Sequence, residues 1–137
     1  MAQLTKHPQP LELELEAIPA SVTEARKRSA QYAREVGAEA EGVELAVAEA
    51  VANAVVHGYT GRPQGTVVLV AALDQGALVI RVTDDGSGMR PNPGRGGLGL
   101  GLALIGQLTS AFSVTAPEGG GTSLRMTFPI VTPGAAA

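Results

Sequence analysis

The chain has no cysteine and no tryptophan, and only two tyrosines and two phenylalanines among its 137 residues. Without cysteine, neither a disulfide framework nor a thiolate metal site can form. Nothing in the composition therefore asks for an oxidising compartment. Basic residues are also few, 10 Lys and Arg against 13 Asp and Glu, for a formal net charge of -3. That balance excludes an electrostatic nucleic-acid footprint, because the one basic cluster, Arg26, Lys27 and Arg28, reads as a solvated helix face. No apolar run reaches the length of a membrane span, and the opening MAQLTKHPQP has no signal-peptide core. Together these absences predict a soluble, cytoplasmic protein with neither a membrane nor a direct nucleic-acid partner.

Glycine, by contrast, is abundant at 18 residues, many of them clustered at 86–101 and 119–121. Clustered glycine in a folded domain suggests backbone that must approach a ligand closely. A hydrophobic fraction of 45% over this length suits one domain, 1–137, with about 1–10 and 131–137 expected to fray.

Leu11 to Ala17 alternates apolar and acidic residues, the pattern of a strand with one wet face, and its charge suits a sheet edge. Pro19 is expected to end that strand, and Ser21 with Glu24 forms a capping-box pattern for a helix. Val22, Ala25, Ser29, Tyr32, Ala33 and Val36 supply its inner stripe, and Gly37 is placed to stop it. A second helix is predicted from about Glu41 to His57, with Gly58 as its stop. Gly61 to Gly65 reads as a loop, and Thr66 to Leu73 and Ala77 to Thr83 as a hairpin turning at Asp74, Gln75 and Gly76. GLGLGLALIGQL begins as a glycine-rich loop and continues as helix to about Leu108, and Ser113 to Ala116 with Thr122 to Pro129 makes a last strand pair. The predicted fold is an α/β (α+β) sandwich, a mixed, mostly antiparallel sheet covered on one face by helices. A Rossmann reading fails because GLGLGL does not open a helix directly after a strand.

Three constellations carry chemistry. The helix LAVAEAVANAVVHGY is apolar almost all the way round, as a helix buried between other elements would be, except for Glu49, Asn53 and His57. Four apart, these three stack on one face. That face looks either onto solvent or onto a polar cavity holding an ion or a charged ligand. Asp84, followed by Gly86 and Gly88, is either a plain turn or a strand-end carboxylate that accepts a hydrogen bond from an exocyclic amine while the glycines lie against a flat ring. Gly97, Gly99 and Gly101 at a helix start offer either close helix packing or bare backbone N–H groups for a phosphate chain. His57 would cap its helix end, or sense charge near the phosphates.

In this order the three stretches resemble the nucleotide-binding boxes of the GHKL ATPase superfamily, with E-x-x-x-N as the N-box and D-x-G-x-G and G-x-G-x-G as the glycine boxes. AEAVANAVVHGY, GLGLALI and GGGTS more closely resemble the bacterial anti-sigma factor serine kinases. Histidine kinases share the boxes but carry an upstream helix pair, for which no room is expected here, and a gyrase-class ATPase would need a transducer domain. The resemblance implies a Bergerat ATP-binding fold, with ATP and magnesium as cofactors. It makes Glu49 the general base and Asn53 the magnesium ligand. Asp84 would bind the adenine amino group, Gly86 and Gly88 would line the ring, Thr122 would lie beside it, and Gly97, Gly99 and Gly101 would face the phosphates. The implied partners are a sigma factor and a STAS-domain antagonist protein, with Arg26 contacting both; a homodimer is compatible with the resemblance. The implied function is an anti-sigma factor that phosphorylates a serine of its antagonist. The alternative is a nucleotide-gated binding module, which the short seven-residue lid from Arg90 to Gly96 favours.

Overall fold

The structure, a computed structural model, describes residues 9–58, 65–86, 96–116 and 120–131. The expectations for residues 1–8 and 132–137, Tyr59, the loop 61–64, Gly88, the lid 90–95 and Gly119 lie outside the described residues.

The first strand, β1 (Leu11–Glu16), buries Leu13 and Leu15 and exposes Glu12, Glu14 and Glu16, as its alternation requires. Helix α1 (Pro19–Val36) follows at once. It begins two residues before the expected capping box, because a proline's fixed φ and missing N–H fit the first helical position. Ser21 is therefore inside the helix and buried, Ile18 is the N-cap, and no side chain caps the start. The inner stripe is Ser21, Ala25, Ser29, Ala30, Tyr32 and Ala33, with Val22 and Val36 at its margin. Gly37 ends the helix as expected, at φ 89, where its N–H donates to the Ala33 carbonyl at 2.9 Å.

Helix α2 (Ala40–Gly58) starts on a cap that the sequence pattern did not show: the Glu39 carboxylate accepts the Gly42 N–H at 2.8 Å. Val43, Ala46, Val47, Ala50, Val51 and Ala54 are fully buried, so α2 is the spine of the helical layer. It is not buried all round, since Leu45 and Val56 are 53% and 58% exposed.

β2 (Thr66–Asp74) and β3 (Ala77–Asp84) form the hairpin. Its two-residue turn, with Gln75 at φ 55 and Gly76 at φ 80, has the primed geometry that matches strand twist. Helix α3 (Gly96–Leu108) then leads to β4 (Ala111–Thr115) and β5 (Thr122–Pro129).

The strand order is β1-β2-β3-β5-β4, with β1 and β4 as edges. Every pairing is antiparallel, the limiting case of the mostly antiparallel sheet expected. The inward side chains of the strands merge with those of the helices into one aliphatic core. Leu69, Leu78, Ile80, Ile105, Leu124 and Met126 are fully buried, each worth roughly 1.5–3 kcal/mol in transfer from water. Among the described residues, no helix lies on the opposite face of the sheet.

Candidate functional site

The inward alternation of β3 runs Leu78, Ile80, Val82, Asp84, so the strand's last residue turns a carboxylate into the layer beneath the helices. Asp84 is 3% exposed. Its Oδ1 accepts the Gly86 N–H at 2.9 Å, which fixes the carboxylate against the turn that follows, and its Oδ2 is buried as well. The next residue, Asp85, accepts the Thr66 N–H at 3.2 Å and so ties the turn to the start of β2.

β5 completes this corner. Its first residue, Thr122, is the register partner of Asp84 and is buried at 2% exposure, so a hydroxyl and a carboxylate lie side by side on the inner face. Gly121, at φ 82, makes the approach sterically feasible. A Cβ there would stand 2.0 Å from the Asp84 carbonyl oxygen and 3.1 Å from the Asp85 Cα. The corner can close only because this residue has no side chain. Sequence reasoning took this glycine for part of a turn. The available signal was a glycine run directly before a buried threonine.

α2 packs over β3 and β5 and brings the second group. Asn53 is 5% exposed, and its Nδ2 is buried with no hydrogen-bond partner among the described residues. A buried amide left short of a partner costs about 1–3 kcal/mol. A half-turn of the amide exchanges nitrogen for oxygen at that spot, so the same position can offer a hard oxygen ligand. Glu49, one turn earlier on the same face, is half-buried. His57 continues the row within α2, with its side chain outside the described residues.

The third group, Gly97, Gly99 and Gly101, lies in α3, which is already helical at Gly96 rather than beginning as loop. Gly97 is in the first turn, where N–H groups have no partner within the helix, whereas Gly101 is a full turn further in. α3 packs against α2, so the helix start and the Asn53 row belong to neighbouring elements.

Arg26 stands apart from this corner. Its guanidinium pairs with the Glu44 carboxylate, bridging α1 and α2, with both side chains about one-third exposed.

The profile of the histidine kinase-like ATPase domain matches residues 15–128. Among curated proteins, the anti-sigma F factor of Clostridium acetobutylicum is 30% identical over 118 residues, covering 74% of this chain and 80% of that protein. The anti-sigma F factor of Halalkalibacterium halodurans is 43% identical over 47 residues, and the matched stretch spans only 34% of this chain and 32% of that protein. Among solved structures, the RsbU and RsbW domains of Rv1364c from Mycobacterium tuberculosis superpose with a TM-score of 0.71 at 27% identity, over 90% of this chain and 32% of that one. The chain belongs to the histidine kinase-like ATPase domain family, on its anti-sigma factor side.

Proposed function

We propose that this protein is an ATP-binding anti-sigma factor that acts as a serine kinase on a STAS-domain antagonist and sequesters a sigma factor. The observation that carries this reading is the corner where Asp84, Gly121 and Thr122 meet beneath a helix whose buried Asn53 amide lacks a partner among the described residues.

A carboxylate held by Gly86 accepts a hydrogen bond from the adenine amino group, and Thr122 borders the same ring with its hydroxyl. Gly86 leaves the ring's face unobstructed, a part that Gly88 shares. Gly97, Gly99 and Gly101 keep the start of α3 clear of side chains for the phosphates. If magnesium accompanies the nucleotide, Asn53 would hold it through its amide oxygen. No cluster of three or more acidic, cysteine or histidine ligands exists among the described residues, so such an ion would rely on the nucleotide's phosphates and on water for its other ligands. The chemistry such an ion would supply is neutralisation of phosphate charge.

Glu49 takes the proton from the antagonist's serine hydroxyl. The serine oxygen forms its bond to the γ-phosphorus as the bond to the β-phosphate oxygen breaks, and ADP leaves. Arg26 contacts the protein partners after exchanging Glu44 for a partner carboxylate. The seven residues from Arg90 to Gly96 support a second reading, a nucleotide-gated binding module, because so short a cover excludes less water from the phosphates. Incubation with labelled ATP and the cognate antagonist separates the two. Label on the antagonist supports the kinase, whereas complex formation that depends on nucleotide without transfer supports the module.

A further inference from the structure

The ladders that β3 makes with β2 and with β5 both end at Asp84, so the direction of this carboxylate is set at a strand end. The two sequence neighbours of Asp84 are each tethered by a side chain, to different strands. Alternation places Thr83 on the sheet face opposite Asp84, and its Oγ1 lies 3.1 Å from the Ser123 Oγ of β5. Asp85 is exposed, and its Oδ1 accepts the Thr66 N–H of β2 at 3.2 Å. Val67 is the β2 partner of Asp84, so one step further along the same register Asp85 meets Thr66. The Asp85 carboxylate thus carries the association of β2 with β3 past the strand end and onto the turn. From the other side β5 closes on the same residue, since a Cβ added at Gly121 would stand 3.1 Å from the Asp85 Cα.

We infer, on the reading that Asp84 meets the adenine amino group, that Asp85 is a positioning residue which sets the preference for adenine by acting through the Thr66 N–H. It touches no part of the nucleotide. Asp85 stands between Asp84 and Gly86, the two residues joined by the 2.9 Å bond from the Gly86 N–H to the Asp84 Oδ1. A shift of Asp85 therefore moves both ends of that bond, and with them the carboxylate that faces the base. Hydrogen bonds to the base tolerate little of this, because they weaken steeply once the distance passes about 3.2 Å or the angle falls towards about 120°. Asn53 and the glycines of α3 belong to other elements, so the phosphate end of the pocket keeps its geometry when the turn shifts. Loss of the exposed Asp85 side chain also leaves no cavity in the core.

Calorimetric titration of ATP, with GTP measured by competition, tests this on the full chain as wild type, Asp85→Ala, Asp85→Asn, Asp84→Asn and the double variant Asp84→Asn/Asp85→Ala, each well below its unfolding transition. Asp85→Ala should raise the dissociation constant for ATP roughly three- to tenfold, the worth of one hydrogen bond. GTP gains nothing from the Asp84 carboxylate, so its affinity should hold and the preference for adenine should narrow by the same factor. Removing a negative charge would by itself strengthen the binding of an anion, so the direction of the change separates the lost tether from the lost charge. Asp85→Asn, whose amide oxygen can accept the same N–H, should stay within about twofold of wild type. In the Asp84→Asn background, Asp85→Ala should cost less than about twofold, because the group it positions is already impaired. Wild type that binds no adenine nucleotide overturns the reading of the corner and the role of Asp85 with it. If wild type binds ATP and Asp84→Asn weakens it, then Asp85→Ala at wild-type affinity, full additivity with Asp84→Asn, or Asp85→Asn as weak as Asp85→Ala overturns the positioning role alone.

Discussion

Replacing Gly121 by alanine separates backbone strain from steric collision at the corner beside Asp84. Two costs apply. At φ 82 any L side chain is strained by about 1–2 kcal/mol. The new Cβ would also stand 2.0 Å from the Asp84 carbonyl oxygen, where ordinary contact is 3.4–4 Å, so backbone must part by more than an ångström. Overpacking of that kind adds about 1–3 kcal/mol. Gly76→Ala is the matched control, because it has φ 80 and nothing within 4 Å of the added atom. Urea unfolding should therefore give a loss of about 2–5 kcal/mol for Gly121→Ala and only about 1–2 kcal/mol for Gly76→Ala. Adenine nucleotide affinity, measured well below the unfolding transition, should fall at least about tenfold in Gly121→Ala and stay unchanged in Gly76→Ala, because a 1.4 kcal/mol misfit at the carboxylate already costs that much. Equal losses of stability in the two variants, with nucleotide affinity intact in both, would refute the close-approach reasoning.

Asn53→Ala should lose magnesium-dependent nucleotide affinity, whereas Glu49→Gln should keep affinity within a few-fold while phosphotransfer falls about a hundredfold or more; equal transfer by Glu49→Gln and wild type removes the proton-acceptor role. Tyr32 has a hydroxyl that is buried without a partner among the described residues, so Tyr32→Phe should be neutral or stabilising by up to about 1 kcal/mol near pH 7. Burial and then the nearby Glu35 raise the Tyr32 pKa above its ordinary value of 10.0, so the stability this residue contributes is present below pH 10 and is lost as pH rises through the raised value. In Tyr32→Phe that alkaline loss should shrink, as read from denaturation midpoints across the range. Arg26→Ala should weaken capture of sigma factor and antagonist and, by breaking a pair that is about one-third exposed, cost about 1 kcal/mol in stability; unchanged capture of both removes its partner role.

What could be read from the sequence depended on whether the deciding interaction was local. The β2/β3 hairpin was legible because Gly76 marks the turn between two β-branched runs, and the end of α1 because Gly37 follows its last periodic residue. The start of α1 was misplaced, since Ser21 and Glu24 mimic a capping box while Pro19 makes the better first helical residue. The row of Glu49 and Asn53 was visible from helical spacing alone. Nothing local reveals that Thr122 pairs with Asp84 across the sheet, 38 positions away in the register of β3 and β5, or that Gly121 must be bare to allow it. The Arg26–Glu44 pair was hidden for the same reason, because it joins two helices through their packing. The exposure of Leu45 and Val56 likewise depends on where the neighbouring elements stop covering α2.

Calorimetric titration of ATP, ADP and GTP into wild type and Asp84→Asn is the most direct measurement of the central claim, that the corner at Asp84 recognises adenine. Wild type should bind both adenine nucleotides and bind GTP far less well, because guanine offers a carbonyl where adenine offers a donor. Asp84→Asn should lose about ten- to a hundredfold in affinity, as expected when a charged hydrogen bond worth about 1.5–3 kcal/mol is replaced by a neutral one. Wild-type protein indifferent to ATP and ADP alike, or an Asp84→Asn variant that binds them as tightly as wild type, would contradict it.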